Sequence, residues 1–494
     1  VYVEESLSPS FVATSPGQSV AVFIGPNGRG PTTPTLVRSW TEYVARFGGF
    51  DNPIPNNYLP YSVYNFFNNG GRMAYIVRAV GTGAVAASVT LDDRQGVPAD
   101  TLKLDALSPG TWGNGIYIEI TNGSAATLFN VTVYLGGSTA GKVVERWADV
   151  SMDPSSSQYA PARINSISSG SAYLVATDMA PTSVIAYSQR IPAAQAPTAL
   201  TAGADGAAPT TPQTKTAMDQ LDVVQDPLLI NLPGNQASIP DAITYAEGRT
   251  DCFVIVDPAS GLTSAALITF NGTLPATSFA STYGPWINTS DPSSSAPGAT
   301  RLVPPGGFVL GKIADTDASR GVFKAPAGLQ TRLLSAVGVE RMFTNAELDA
   351  LNVAKVNVIK QVPGAGIVIY GARTLSNILN TRYINVRRTL ISVATTAKAL
   401  TQFAAFEPND SFLWDSITAV LGQYLLSFWQ SGGLRGNSPN EAFFVKCDED
   451  NNTQTTIDAG VVNIEIGVAT QKPAEFIVIK IGQWEGGRTT VESV

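Results

Sequence analysis

The strongest constraint in this chain lies between Thr381 and Ser431, where apolar residues recur at helical spacing twice over. Tyr383, Val386, Leu390 and Val393 follow one another at intervals of three or four, as do Leu413, Ile417, Val420, Tyr424 and Phe428. That period puts one face of each helix into a core. Between the two runs stands Phe406-Glu407-Pro408-Asn409-Asp410, which breaks the pattern. Asp410 or Ser411 can accept the first free amides of the second helix, and Gly432-Gly433 can take the left-handed backbone that ends it. The stretch is expected to fold as a helical hairpin.

Elsewhere the texture is mixed. Ser19 to Gly25 reads as a buried strand, Leu36 to Phe47 and Tyr61 to Phe67 as helices, and Met73 to Val80 as a second strand. Leu228 to Asn231 and Cys252 to Val256 are apolar runs separated by a helix-like segment, Ile239 to Gly248. That alternation predicts a βαβ unit and a parallel sheet. Phe308 to Ile313, Val356 to Ile359 and Gly366 to Tyr370 read as further strands. From Gly81 to about Leu200 short alternating runs such as Tyr117 to Ile120 and Phe129 to Tyr134 predict antiparallel β-structure built as an insertion. Ile191 to Pro212, rich in Ala, Pro, Thr and Gly, reads as a linker.

Composition narrows the chemistry. The chain has 39 acidic and 31 basic residues, a net charge of -8, where a nucleic-acid binder carries a basic excess. It contains no histidine, which removes Ser-His-Asp and Cys-His catalysis and histidine-ligated zinc. Cys252 and Cys447 stand far apart and read as buried free thiols. No apolar run reaches the length of a membrane span, and Val1 to Ser6 carries glutamates where a leader needs positive charge.

Three motifs touch on chemistry. Gly81 to Ala86 fits G-x-G-x-x-A, the loop that cradles a dinucleotide pyrophosphate, but a strand, Ala87 to Leu91, is expected where a helix should begin. Asp448, Asp450 and Asn452 have the spacing of a calcium loop, yet Thr453 and Ala459 replace its glycine and its glutamate. Asp315 and Asp317 could be paired carboxylates or could cap and pair locally. No catalytic, cofactor or metal residue is assigned. More informative are seven basic residues, Lys355, Lys360, Arg373, Arg382, Arg387, Arg388 and Lys398, with no Asp or Glu among them. They either build a cationic face that favours an acidic partner or pair with distant carboxylates such as Glu407 or Asp415.

A series of runs stands in order along the chain: Pro304-Pro305-Gly306-Gly307, Ala314-Asp315 with Gly321 to Pro326, Tyr370 to Leu375, Arg382 to Arg388, Phe406 to Asp410 with Trp414, Glu441 to Val445, and Pro473-Ala474-Glu475-Phe476. In these runs the sequence resembles the contractile tail sheath proteins of bacteriophages and related contractile injection systems. Tyr2 to Glu5, Phe23-Ile24-Gly25 and Phe66 to Gly71 are similar too, whereas Gly81 to about Leu200 matches no run of the family.

The resemblance implies an α/β (α+β) multidomain protein and a structural, non-enzymatic role without cofactor. Its organisation would be an N-terminal arm (1–18), a sheath core (19–80 plus 201–470, with the hairpin 381–431), a β-rich outer insertion (81–200) and a C-terminal arm (471–494). It implies hexameric rings stacked helically round an inner tube protein, ended by baseplate and tail terminator proteins. Such particles are assembled in the bacterial cytoplasm, with no nucleic acid bound and no membrane insertion. It further implies arms that complete a shared β-sheet in neighbouring subunits, here Val1, Tyr2, Val3 and Glu4 at one end and Phe476, Ile477, Val478, Ile479, Lys480 and Ile481 at the other. The tube-facing candidates are Arg382, Arg387, Arg388 and Lys398. Two other classes stay open: a dinucleotide-dependent oxidoreductase using Gly81 to Ala86, and a receptor-binding or adhesive protein built on the insertion.

Overall fold

The computed structural model describes residues 20–50, 54, 57–180, 185–475, 481–485 and 488–492. Val20–Gly25 (β1) is buried at every position and lies inside an eight-stranded sheet. Thr35–Val37 (β2), the helices Trp40–Phe47 (α1) and Leu59–Asn68 (α2), and Ala74–Arg78 (β3) follow. β3 pairs parallel with β1, and β2 closes that edge antiparallel to β3. The stretch read as one helix from Leu36 is therefore a short strand and a helix, the latter started by Ser39, whose side chain accepts the Glu42 amide.

Residues 88–199 build two antiparallel sheets. Their strands are Ser88–Asp92 (β4), Asp100–Ala106 (β5), Ile116–Asn122 (β6), Leu128–Leu135 (β7), Val143–Ser151 (β8), Leu174–Asp178 (β9) and Gln195–Ala199 (β10), with short helices Ala160–Ile164 (α3) and Tyr187–Arg190 (α4). The sheet orders are β4-β5-β9 and β10-β6-β7-β8, and Leu104, Ile118, Val131, Val133 and Met152 fill a core of their own. The stretch expected to be a linker from Ile191 is thus partly a strand. β10 sits at the sheet edge, where Pro197 is tolerated, and its register shifts between Gln195 and Thr198.

The chain then returns to the large sheet. Thr211–Asp219 (α5), Leu228–Asn231 (β11), Ile239–Arg249 (α6), Cys252–Val256 (β12), Ser264–Gly272 (α7) and Ala280–Gly284 (β13) alternate. β1, β11, β12 and β13 are parallel neighbours, as the βαβ pattern predicts. Ile287–Ser290 (β14), Thr300–Val303 (β15) and, after Gly306–Arg320 (α8), Ala336–Val339 (β16) make a small sheet. Asn345–Val353 (α9) leads to Val356–Val362 (β17), parallel to β13, and Gly366–Tyr370 (β18) closes the edge antiparallel.

Phe308 to Ile313 belongs to helix α8, not to a strand. Every residue from Gly306 to Ile313 is buried between α2 and the sheet, so no polar face marks the helical period. A short run that is apolar but for one lysine, Lys312, cannot be told from a strand by periodicity. Gly307 makes the packing possible: a Cβ there would stand 2.2 Å from the Ser62 carbonyl oxygen of α2.

The hairpin forms as expected, from Ile384–Leu400 (α10) and Ser411–Gln430 (α11). Asp410 accepts the Leu413 amide at 3.1 Å, and Gly432 ends α11 at φ 84°. Pro439–Ala442 (α12), Phe443–Lys446 (β19), Gln454–Asp458 (α13) and Glu465–Val468 (β20) complete this end, with β19 and β20 paired antiparallel. Ile481–Glu485 (β21) and Arg488–Glu492 (β22) pair as a hairpin.

At the carboxyl edge of the large sheet a buried carboxyl caps α8. Asp257 accepts the Gly306 amide at 2.7 Å and Asn231 Nδ2 at 2.8 Å, and burial pushes its pKa up to about 7. Its folded pKa lies above the unfolded value, so the folded state holds the extra proton between about pH 4 and 7. Stability is fully present below pH 4 and falls as pH rises through that window, by on the order of a few kcal/mol. Urea titrations across this range should give a flatter slope for Asp257→Asn than for the wild type.

Candidate assembly surface

Two observations decide what the large sheet can do. In an open parallel sheet, ligands bind beyond the carboxyl ends of the strands where the order reverses, here between β1 and β11. That region is filled by protein. Arg78, at 2 % exposure, donates from Nε to the Asn27 carbonyl at 2.7 Å, and Asp257 and Asn231 occupy the neighbouring strand ends. Gly81 to Ala86 leads into β4 and not into a helix, and a Cβ at Gly81 would stand 1.8 Å from the Ala207 carbonyl oxygen. Gly81 therefore serves close chain packing. Among the described residues, no group of three or more His, Cys, Asp or Glu is placed to hold a metal.

The basic residues around the hairpin do not share one surface. Arg388 is buried at 2 % exposure and makes a two-pronged pair with Asp317 of α8, Nη1 to Oδ1 at 2.8 Å and Nη2 to Oδ2. It is therefore not on a tube-facing surface, contrary to expectation. Arg387 lies half-buried with its guanidinium 4.4 Å from the Phe279 ring centre, and burial lowers its pKa. Consecutive helical residues point about 100° apart, which sends these two side chains to different neighbours. Arg382 is half-buried just before α10, and Lys398 is exposed in the last turn of α10. The pairing alternative holds for Arg388 and Arg373, with Asp317 and Glu475 as partners in place of Glu407 or Asp415. Asp315 pairs locally with Lys312 at 3.2 Å.

The arm positions Val1, Tyr2, Val3, Glu4, Phe476, Ile477, Val478, Ile479 and Lys480 lie outside the described residues; Ile481 begins β21. What the structure does describe is the segment leading to them. Ala469 donates to the Ala442 carbonyl, Asn385 Nδ2 donates to the Gln471 carbonyl at 2.9 Å, and Gln471 Nε2 donates to the Leu434 carbonyl at 3.1 Å. Glu475 accepts Arg373 Nε at 2.8 Å, Arg373 Nη2, and the Tyr383 hydroxyl at 3.2 Å. The bond to Glu475 raises the Arg373 pKa; burial, then Glu475, raises that of Tyr383. Arg373 and Glu475 each stand in a run of family likeness, but 102 residues of chain separate them and nothing in the sequence joins them.

Beside this segment stands a two-stranded sheet. β19 packs on α11, and Val445 and Ile466 join Leu413, Trp414 and Ile417 in a local core. Among the described residues, no other strand pairs with either outer edge of β19–β20. An isolated two-stranded sheet is marginal in water, and open edges are templates for another strand.

The ion pair between α8 and α10 makes a testable case. Arg388→Met should destabilise by about 3–5 kcal/mol, because it leaves Asp317 buried and unpaired. Arg388→Met with Asp317→Leu should recover most of that loss in denaturant titrations.

Comparison with known proteins places this architecture. Residues 207–375 match the phage tail sheath protein central domain and residues 380–483 the phage tail sheath C-terminal domain, together more than half of the chain. A tail sheath protein of Vibrio phage KVP40 (isolate Vibrio parahaemolyticus/Japan/Matsuzaki/1991) is 30% identical over 183 residues, 36% of this chain. The match spans 26% of that curated relative's length. The anti-feeding prophage helical sheath in its contracted state shares the fold at TM-score 0.60 and 20% identity, over 98% of both chains. The sheath tail protein of Listeria innocua does so at 0.64 and 12%, over 93% of this chain and 97% of that one. A PVC sheath in the contracted state gives 0.56 and 22%, over 98% and 96%. With both matched domains falling on the large sheet, the hairpin and the small sheet, the chain belongs to the phage tail sheath family.

Proposed function

We propose that this chain is the structural subunit of a contractile tail sheath. It polymerises as stacked hexameric rings around an inner tube and shortens to drive that tube through a target envelope. Its partners are further copies of itself, the tube protein, and the baseplate and terminator proteins at the two ends. It is put together in the bacterial cytoplasm as part of a virion tail or injection particle. The role is mechanical and not catalytic, and the filled carboxyl edge of the large sheet supports that reading. No described helix is long and apolar enough to cross a membrane.

The observation that carries the proposal is the small sheet β19–β20, whose outer edges have no strand partner among the described residues. We read it as the acceptor of strands donated by neighbouring subunits, from residues 1–4 at one end and 476–481 at the other. The last segment, Phe476-Ile477-Val478-Ile479-Lys480-Ile481, alternates as a donated strand requires. Each added ladder bond contributes only about 0.5–1.5 kcal/mol net. Repetition round a ring and along a stack turns these weak ties into a mesh. The tube-facing surface on this reading includes Arg382 and Lys398, which complement an acidic tube. The organisation proposed is a core from 19–80 and 201–470, an outer insertion from 81–200 and arms at both ends, and the separate core of residues 88–199 supports it.

Purified full-length protein should form striated tubes in negative-stain images. A chain ending at Glu475 should keep its circular dichroism and sediment as a folded monomer without tubes. Tubular assemblies from that truncated chain would overturn the strand-donation reading.

A further inference from the structure

Flanking prolines and glycines are the natural places to put the hinge of a terminal arm, and Pro473 stands just before the C-terminal one. The described contacts argue against that position. Residues on both sides of Pro473 are tied to the body. On one side, Thr470 bridges to Leu434 and the Gln471 carbonyl accepts from Asn385, which is 1% exposed. On the other, Glu475 receives three donors from Arg373 and Tyr383.

Arg373 is itself built into the sheet. Its amide donates to Asn357 Oδ1 at 2.7 Å, and its carbonyl accepts from Asn357 Nδ2 and from Ser281 at 2.8 and 2.7 Å. Its Nη1 donates to the Asn352 carbonyl at the end of α9, at 2.8 Å. The guanidinium is thereby aimed before Glu475 arrives, and a two-pronged pair fixes direction as well as distance.

We infer that Glu475, clamped by Arg373 and Tyr383, is the fixed post from which the C-terminal arm departs, and that Pro473 lies within an anchored strap. Arg373 and Tyr383 are positioning residues for assembly: they set where, and in which direction, the donated strand leaves the body. Rotation between subunits is then not absorbed at Pro473. This inference rests on the strand-donation reading for its consequence, but its geometry stands on described residues alone.

A nitroxide on Ala474→Cys tests it in the full-length chain, since Ala474 is exposed and the native cysteines are buried. The label should give a motionally restricted spectrum that narrows in Glu475→Gln, with tube formation lost and the near-ultraviolet circular dichroism of the body kept. Tyr383→Phe, which removes one donor and leaves the ion pair, should give an intermediate spectrum if Glu475→Gln fails to fold. A mobile label in the otherwise wild-type chain would put the hinge at Pro473 and overturn the inference, as would a spectrum that Glu475→Gln leaves unchanged. The chain ending at Glu475 separates the two readings. If it still makes tubes, strand donation fails, and the label alone decides whether the post exists.

Discussion

The placement of α10 on α8, and of all that α10 carries, is fixed by the pair between Arg388 and Asp317. Withdrawing two charges to 2% and 9% exposure carries a desolvation cost that only close, two-pronged hydrogen bonding offsets. That demand leaves α10 and α8 a single relative position. α8 is in turn seated on α2 through Gly307, and both helices cover the sheet. Through this series of contacts the hairpin is registered to the central strands, and with it the small sheet that packs on α11.

Much of this was legible in the residues. The hairpin, the βαβ alternation and the antiparallel strands between Gly81 and Leu200 each carry a periodicity that survives without tertiary information, and the structure has all three sets of elements. Asp410 and Gly432 mark the ends of α11 because caps are local chemistry. What could not be read depended on burial. Phe308 to Ile313 looked like a strand because a helix surrounded on all sides loses its polar face. The stretch from Ile191 looked like a linker because an edge strand with a proline carries little pattern of its own.

Charge was the least readable feature. Seven basic residues without an intervening carboxylate gave the impression of one cationic surface, but pairing is decided by distance in space. Arg388 found Asp317 across 71 residues and Arg373 found Glu475 across 102. Glu475 sits in a run that carries family likeness and Asp317 lies just outside one, yet nothing in the sequence around either indicates which arginine it meets. A segregated charge run shows that its partners lie elsewhere; it does not show that they lie on another molecule.

Helix α10 has one further consequence. Its first residue, Ile384, belongs to the core beneath the large sheet, while its last, Leu400, belongs to the core shared by α11 and the small sheet. Seventeen residues at about 1.5 Å each make a beam of about 25 Å that is cemented at both ends. A beam of that kind resists bending and ties the two cores to each other along its length. In a polymer of this chain it would favour changes of angle between subunits over bending between these two cores.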